Sequence, residues 1–320
     1  MRKKYSSKTA RIGAALCALL FVACGLKITK VTLSADEISQ GGEVTVTTQF
    51  ERADGDYDNN SGIYLLYAVR VPSDWSYTEA LEAVSSVYSG DEDAEPATDK
   101  FDFEESSAYA ALAQFCYPKA DYKWIGFQTT EQVTLTCNQN GKDNVKATLT
   151  LKAGETIGDF KLDIISGSFP HDPSTLVKAD GSVDVDVAFG RKSDFAAADP
   201  KKLSDGTEVF GFSEYLVNAS TISAAEQLAA ENTLLSYTAT IDGKSYPISA
   251  GADIGNVLTD EELAGLQLNV KVVKDTSTAI DEITVSEEDN SPVYNLNGVK
   301  VAEPTAPGIY IKNGKKFILK

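Results

Sequence analysis

The sequence predicts a mainly β fold: antiparallel sandwich modules with short helical insertions and a small β unit at the C-terminus. Three observations predict it. From Ile28 onward apolar and polar residues alternate in short runs broken by turn residues, the period of strands with one buried face. Asn140-Gly141, Asp242-Gly243, Asn297-Gly298 and Asn313-Gly314 stand between such runs, and these dipeptides take the positive φ angles that tight hairpins require. Finally, 42% of the 320 residues are hydrophobic, enough to bury a sizeable core and to build more than one module.

The first module is expected over residues 24–168. Val44-Thr45-Val46-Thr47 and Ile63 to Val69 read as strands flanking an acidic loop. Val133 to Cys137 and Val145 to Leu151 read as a hairpin about Asn140-Gly141, and Phe160 to Ile164 as a further strand. Ser107 to Phe115, rich in Ala and Leu, favours a helix. Ser76 with Glu79, Ser223 with Glu226 and Thr259 with Glu262 have capping-box spacing, so a short helix is expected after each. The stretch resembles an immunoglobulin-like or fibronectin-type sandwich.

A second β-rich module is expected over residues 169–275, unless the turn residues Ser166 to Pro170 are a loop inside one large domain. There Val183-Asp184-Val185-Asp186-Val187 alternates as a strand would. Asp242-Gly243 joins Leu235 to Ile241 with Tyr246-Pro247-Ile248, and Leu266 to Val273 closes the module. Residues 276–320 are read as a linker and a β tail. Four small strands are expected there, with Tyr294, Leu296, Ile309 and Ile311 facing a small core and the lysines facing water. From Pro292 onward there are five lysines and one acidic residue, a basic end on an acidic chain. The segments Val293 to Val301 and Pro307 to Lys316 resemble the carboxy-terminal sorting region of proteins exported by type IX secretion in Bacteroidota. The proline-containing strand that usually opens such a region has no counterpart in Ile283 to Asn290. The tail is thus either a working sorting signal or a shortened remnant, and the resemblance implies an exported protein of that bacterial group.

At the other end, Arg2, Lys3, Lys4, Lys8 and Arg11 precede an apolar run, Ile12 to Ala23, too short to span a bilayer stably. Residues 1–23 are therefore read as a signal peptide. Phe21-Val22-Ala23-Cys24 resembles a bacterial lipobox, which implies cleavage before Cys24 and acylation of its thiol, anchoring the protein in a lipid bilayer. That destination is the cell envelope, most directly an outer-membrane lipoprotein. The alternative is ordinary signal-peptidase cleavage after Gly25 and a product without an anchor. Residues 1–23 carry five basic and no acidic residues. The chain from Cys24 therefore has 24 basic against 47 acidic residues and a net charge of about −23. Such a surface repels phosphate backbones and excludes nucleic acid as a partner class.

Cys116 and Cys137 remain after the signal and lipobox cysteines, an exported pair that is either a disulfide or two separate thiols. His171 is the single histidine, which leaves little for zinc or copper chemistry. It adjoins Asp172, a setting for a base or for an ordinary surface turn. Asp54-Gly55-Asp56-Tyr57-Asp58-Asn59-Asn60 resembles the start of a calcium loop, but Asn59 replaces the glycine and Leu65 the bidentate glutamate. Trp75 and Trp124 either stack on sugars or fill the core, and Trp124 is expected in the core. No nucleophile elbow, phosphate loop, dinucleotide fingerprint or zinc-protease motif occurs. No cofactor, metal site or catalytic residue is expected. The expected function is a non-enzymatic exported lipoprotein that presents sandwich modules to a protein or glycan partner. The alternative is an extracellular glycoside hydrolase, or another hydrolase, with an acidic pair that sequence cannot select.

Overall fold

The computed structural model describes residues 26–52, 60–87, 97–135, 144–190, 200–211, 216–217, 219–249, 260–275 and 291–319. In chain order the first half runs β1 (Leu26–Leu33), β2 (Glu37–Ser39), β3 (Glu43–Arg52), β4 (Asn60–Pro72), β5 (Ser76–Val87), β6 (Ala97–Glu105), α1 (Ser107–Cys116), β7 (Tyr122–Thr129), β8 (Val133–Leu135), β9 (Asn144–Lys152) and β10 (Gly158–Phe169). After a 3-10 turn at Pro173–Leu176 come α2 (Val185–Gly190), β11 (Lys201–Lys202), β12 (Glu208–Gly211), β13 (Ala219–Ser220), α3 (Ala224–Leu234), β14 (Thr238–Ile241), β15 (Lys244–Ser249), α4 (Asp260–Ala264) and β16 (Leu268–Val273). The tail adds β17 (Val293–Asn295), β18 (Lys300–Val301), β19 (Gly308–Lys312) and β20 (Lys315–Leu319).

The protein is mainly β and its body is a sandwich. Its strands follow one continuous pairing order, β1-β3-β9-β5-β6-β7-β4-β10-β16-β2, and β6 turns the corner between the layer β1-β3-β9-β5 and the layer β7-β4-β10-β16-β2. Residues 97–102 of β6 pair with β5, while 103–105 pair with β7. Val44, Val46 and Phe50 of β3 and Leu149 and Leu151 of β9 meet Leu65, Tyr67 and Val69 of β4 and Val270 and Val272 of β16 in one core. Across that core the Tyr67 hydroxyl and Thr48 Oγ1 lie 3.0 Å apart in a hydrogen bond that satisfies two buried polar groups.

Strands β4 and β10 are buried on both faces. Leu66 and Ala68 of β4 and Ile165 and Phe169 of β10 point away from the sandwich core into a second one. There they meet Tyr109 and Leu112 of α1, Phe189 of α2 and Leu234 of α3. The stretch expected as a separate module, 169–275, thus supplies this covering layer. It also supplies strands to the sandwich itself: β16 pairs with Gly158–Leu162 of β10, and β13 pairs with Ile165 and Ser166. Two pairings, β16 with β2 and β12 with β15, are parallel.

Several local expectations give way to this packing. Ser76 and Glu79 open no helix, because β5 is held between β9 and β6 with Leu81 and Ala83 in the core. Glu79 instead accepts from the Thr150 hydroxyl at 3.2 Å. Val133 to Cys137 and Val145 to Leu151 form no hairpin: β8 pairs with β4, and β9 lies between β3 and β5. The Asn140-Gly141 turn itself lies outside the described residues. Val185 to Val187 open α2 rather than continue a strand, since Asp184 Oδ1 accepts from the Val187 amide as a helix cap does. Ser223 caps α3 as expected, accepting from the Glu226 amide, and α1 forms over Ser107–Cys116. Helix α4 begins one residue after Thr259, which lies outside the described residues.

Candidate functional site

Arg70 is the one charged residue in the apolar run of β4, and it is fully buried on the face toward the helical layer. A guanidinium there must be paired. It donates to Asp163 Oδ2, directly opposite on β10, and to Glu226 Oε1 at the start of α3. It also donates to the Tyr117 carbonyl at 3.5 Å and lies over the Trp124 ring, 5.4 Å from the centroid. Lys161 Nζ sits 3.1 Å from Asp163 Oδ1 at the rim. Burial pushes the Glu226 carboxyl up, but the Arg70 hydrogen bond and charge outweigh it, so the group lies below its usual range. Burial and the nearby Arg70 charge hold Lys119, also at the rim, below the usual lysine value. The cluster is matched internally, carboxylate against cation, and it ties α3 and the end of α1 to the central sheet. Its chemistry is that of a clamp. Glu226 stood out in the sequence only as a capping residue. The available signal was Arg70 itself, a lone charge inside an apolar strand.

The residues singled out from sequence do not converge on one place. Cys24, the expected lipidation site, lies outside the described residues, as do Cys137 and the acidic turn up to Asn59. Cys116 is a free thiol, fully buried at the end of α1, and burial pushes its pKa well up. Trp124 is core as expected, donating from Nε1 to the Tyr117 carbonyl at 3.1 Å, and Trp75 is fully buried against Phe160. Neither indole is open to a sugar. His171 packs edge-on against Phe169, while Asp172 accepts from the Ser174 amide as the cap of the 3-10 turn. Among the described residues no three His, Cys, Asp or Glu side chains gather as a metal site would need. No described helix is long and apolar enough to cross a membrane.

The tail supplies the surface that stands out. The four strands expected from the sequence form, in the order β18-β17-β19-β20, but the inner face is the opposite one. Tyr310 and Phe317 are paired across β19 and β20 and buried, with the Tyr310 hydroxyl donating to the Ala306 carbonyl at 2.8 Å. Lys312, on that same face, is buried with them. The other face carries Tyr294 and Ile311, paired across β17 and β19, and Ile309 and Ile318, paired across β19 and β20. Tyr294, Ile309 and Ile318 are 37%, 36% and 44% exposed. Leu296 and Val299 project from the turn between β17 and β18 and are more exposed still. The expected inward set of Tyr294, Leu296 and Ile309 is therefore outward. In Gly-Ile-Tyr-Ile-Lys three adjacent residues are apolar, so period two selects no face; the Tyr310–Phe317 pair selects it. Five of the eight exposed large hydrophobic side chains among the described residues belong to this tail. Lys300 and Lys316 occupy register positions on the same outer face.

No family model matches the chain, and no curated protein matches it. Among solved structures, the chain is similar to the fimbrial protein FimP from Actonomyces oris, at 18% identity and a TM-score of 0.28. That match covers 47% of this chain and 32% of the other, so the chain spans about a third of that protein's length. It is also similar to the seventh ScaB type I cohesin from Pseudobacteroides cellulosolvens, at 12% identity and a TM-score of 0.22, over 46% of this chain and 79% of that one. A third similar structure is AvmM, described as catalysing macrocyclization in alchivemycin A biosynthesis. It matches at 11% identity and a TM-score of 0.23, over 45% of this chain and 77% of that one.

Proposed function

We propose that the protein is an exported, lipid-anchored, non-enzymatic component of the cell envelope that presents a rigid β-sandwich body and a basic tail to a protein or glycan partner. The observation that carries this reading is where the protein spends its unusual residues. Arg70 and Asp163 are buried and paired in the clamp between sheet and helical layer, whereas five of the eight exposed large hydrophobic side chains among the described residues belong to the tail, three of them on one face of its sheet. Contiguous exposed apolar groups with a polar rim mark interaction surfaces. Export and anchoring rest on the basic and apolar run before Cys24, and the outer membrane is the destination that the lipobox resemblance implies.

Cell fractionation tests the anchor. Wild type is expected in the membrane fraction and Cys24→Ser in the soluble fraction, and wild type found wholly soluble would remove the anchor from this reading. Partner binding is tested on the full mature chain by a glycan array together with a cross-linking pull-down from intact cells. Turnover of polysaccharide or peptide by the purified chain, without a retained partner, would favour the hydrolase instead.

A further inference from the structure

The outer face of the tail sheet has a composition of its own. Tyr294, Ile309, Ile311 and Ile318 form an apolar patch, and Lys300 and Lys316 share its face by register, whereas Lys315 pairs with Lys312 on the opposite face. From Pro292 onward the single acidic residue is Glu303. Aliphatic and tyrosine side chains flanked by two lysines suit a surface that is apolar a few ångströms down and anionic on top.

Size separates the occupants. At strand spacing, four strands of at most five residues give a face of no more than about 14 Å by 17 Å, roughly 240 Å². A specific protein interface takes about 800 Å² of accessible surface from each partner, so this face by itself does not make up one with a second copy or another globular protein. A bilayer sets no such minimum, because each inserted side chain and each lysine over an anionic headgroup adds its own increment. Body charges more than about 8 Å from the face are largely screened at physiological ionic strength.

We propose that this face of the tail sheet rests on an anionic lipid surface and gives the protein a second, reversible contact with the membrane. It goes beyond partner binding and rests on the export in that reading, but it is read without the acyl anchor. An apolar and basic face adds its own increment of membrane affinity and holds a body close to its membrane.

The test is co-sedimentation of the full mature chain carrying Cys24→Ser with vesicles of phosphatidylethanolamine and phosphatidylglycerol, against vesicles of phosphatidylcholine alone. Binding is expected to the anionic vesicles only and to fall as salt rises. Lys300→Glu with Lys316→Glu is expected to weaken it at least about tenfold. Ile309→Ser with Ile318→Ser is expected to weaken it comparably. Lys146→Glu with Lys178→Glu, the same charge change on exposed residues of the body, is expected to leave it unchanged. Circular dichroism melting confirms that each variant is folded. Absence of binding to anionic vesicles, equal binding to neutral ones, or binding that survives both tail pairs overturns the proposal. So does a protein cross-linked to the tail face and released by the tail variants, which assigns the face to a protein. Failure of the anchor shows only in fractionation, and failure of partner binding only in the array and pull-down.

Discussion

Arg70 shows how one residue can bind two layers together. Arg70→Met leaves Asp163 buried without its main partner, and the expected loss is about 3–5 kcal/mol in urea unfolding. Adding Asp163→Leu removes the orphaned charge and is expected to recover part of that loss. A double variant no more stable than Arg70→Met would contradict the pairing. The clamp also has a pH dependence with a definite sign. The folded Glu226 carboxyl is held below its usual value, so its contribution is complete above about pH 4.3 and is lost as pH falls through the lower folded value. Urea midpoints measured against pH are expected to drop less steeply on the acid side for Glu226→Gln than for wild type. Cys116 is buried with a raised pKa, and the thiolate is the reactive form. Iodoacetamide at mildly alkaline pH is expected to spare Cys116 in the native protein and label it after denaturation, read by peptide mass spectrometry. Native labelling would contradict the packing at the end of α1.

At the scale of elements, two glycines set how closely the covering layer approaches the central strands. A Cβ on Gly126 of β7 would fall 2.6 Å from the Ser106 carbonyl and 2.7 Å from the Ala110 amide, both backbone atoms at the start of α1. One on Gly167 of β10 would meet the Leu216 carbonyl at 1.8 Å. Gly126→Ala is expected to push α1 off the sheet and to cost about 1–3 kcal/mol. A thermal midpoint equal to wild type would show that α1 can shift without loss. Some of this was legible and some was not, for the same kind of reason. Ser223 and the Ala-rich run from Ser107 announced helices because cap and propensity act within one turn. The hairpin at Asp242-Gly243 was legible because both residues take positive φ, 52° and 75°, as its turn demands. Ser76 carried the same cap signal and lies in a strand, because it pairs with Lys152 of β9 while β6 pairs with the later residues of the same strand. Asn297-Gly298 makes a different turn from the one expected: Gly298 alone takes positive φ, and the Asn295 side chain accepts from the amides of Asn297 and Val299.

For the whole molecule, the tail sheet is a separate sheet from the body's. Removing residues 291–320 is expected to shift the body's unfolding free energy by less than about 1 kcal/mol, as for distant and independent groups. Loss of the main calorimetric transition on truncation would show that the body needs the tail. If the tail still acts in sorting, the truncated protein should accumulate in the periplasm; with a remnant, localisation should not change. By itself the sequence determined the mainly β composition, most strand positions, two of the tight turns, the acidic body and the basic tail. These follow from side-chain period, dihedral preference and charge, which act over a few residues. Tertiary structure decided which strands are neighbours and which face turns inward. It placed β16 beside β10, more than a hundred residues away, buried Arg70 against Glu226, and turned Ile309 and Ile318 outward. Pairing across such distances depends on how two apolar faces of β4 and β10 can both be covered at once, and alternation along a single strand does not encode that.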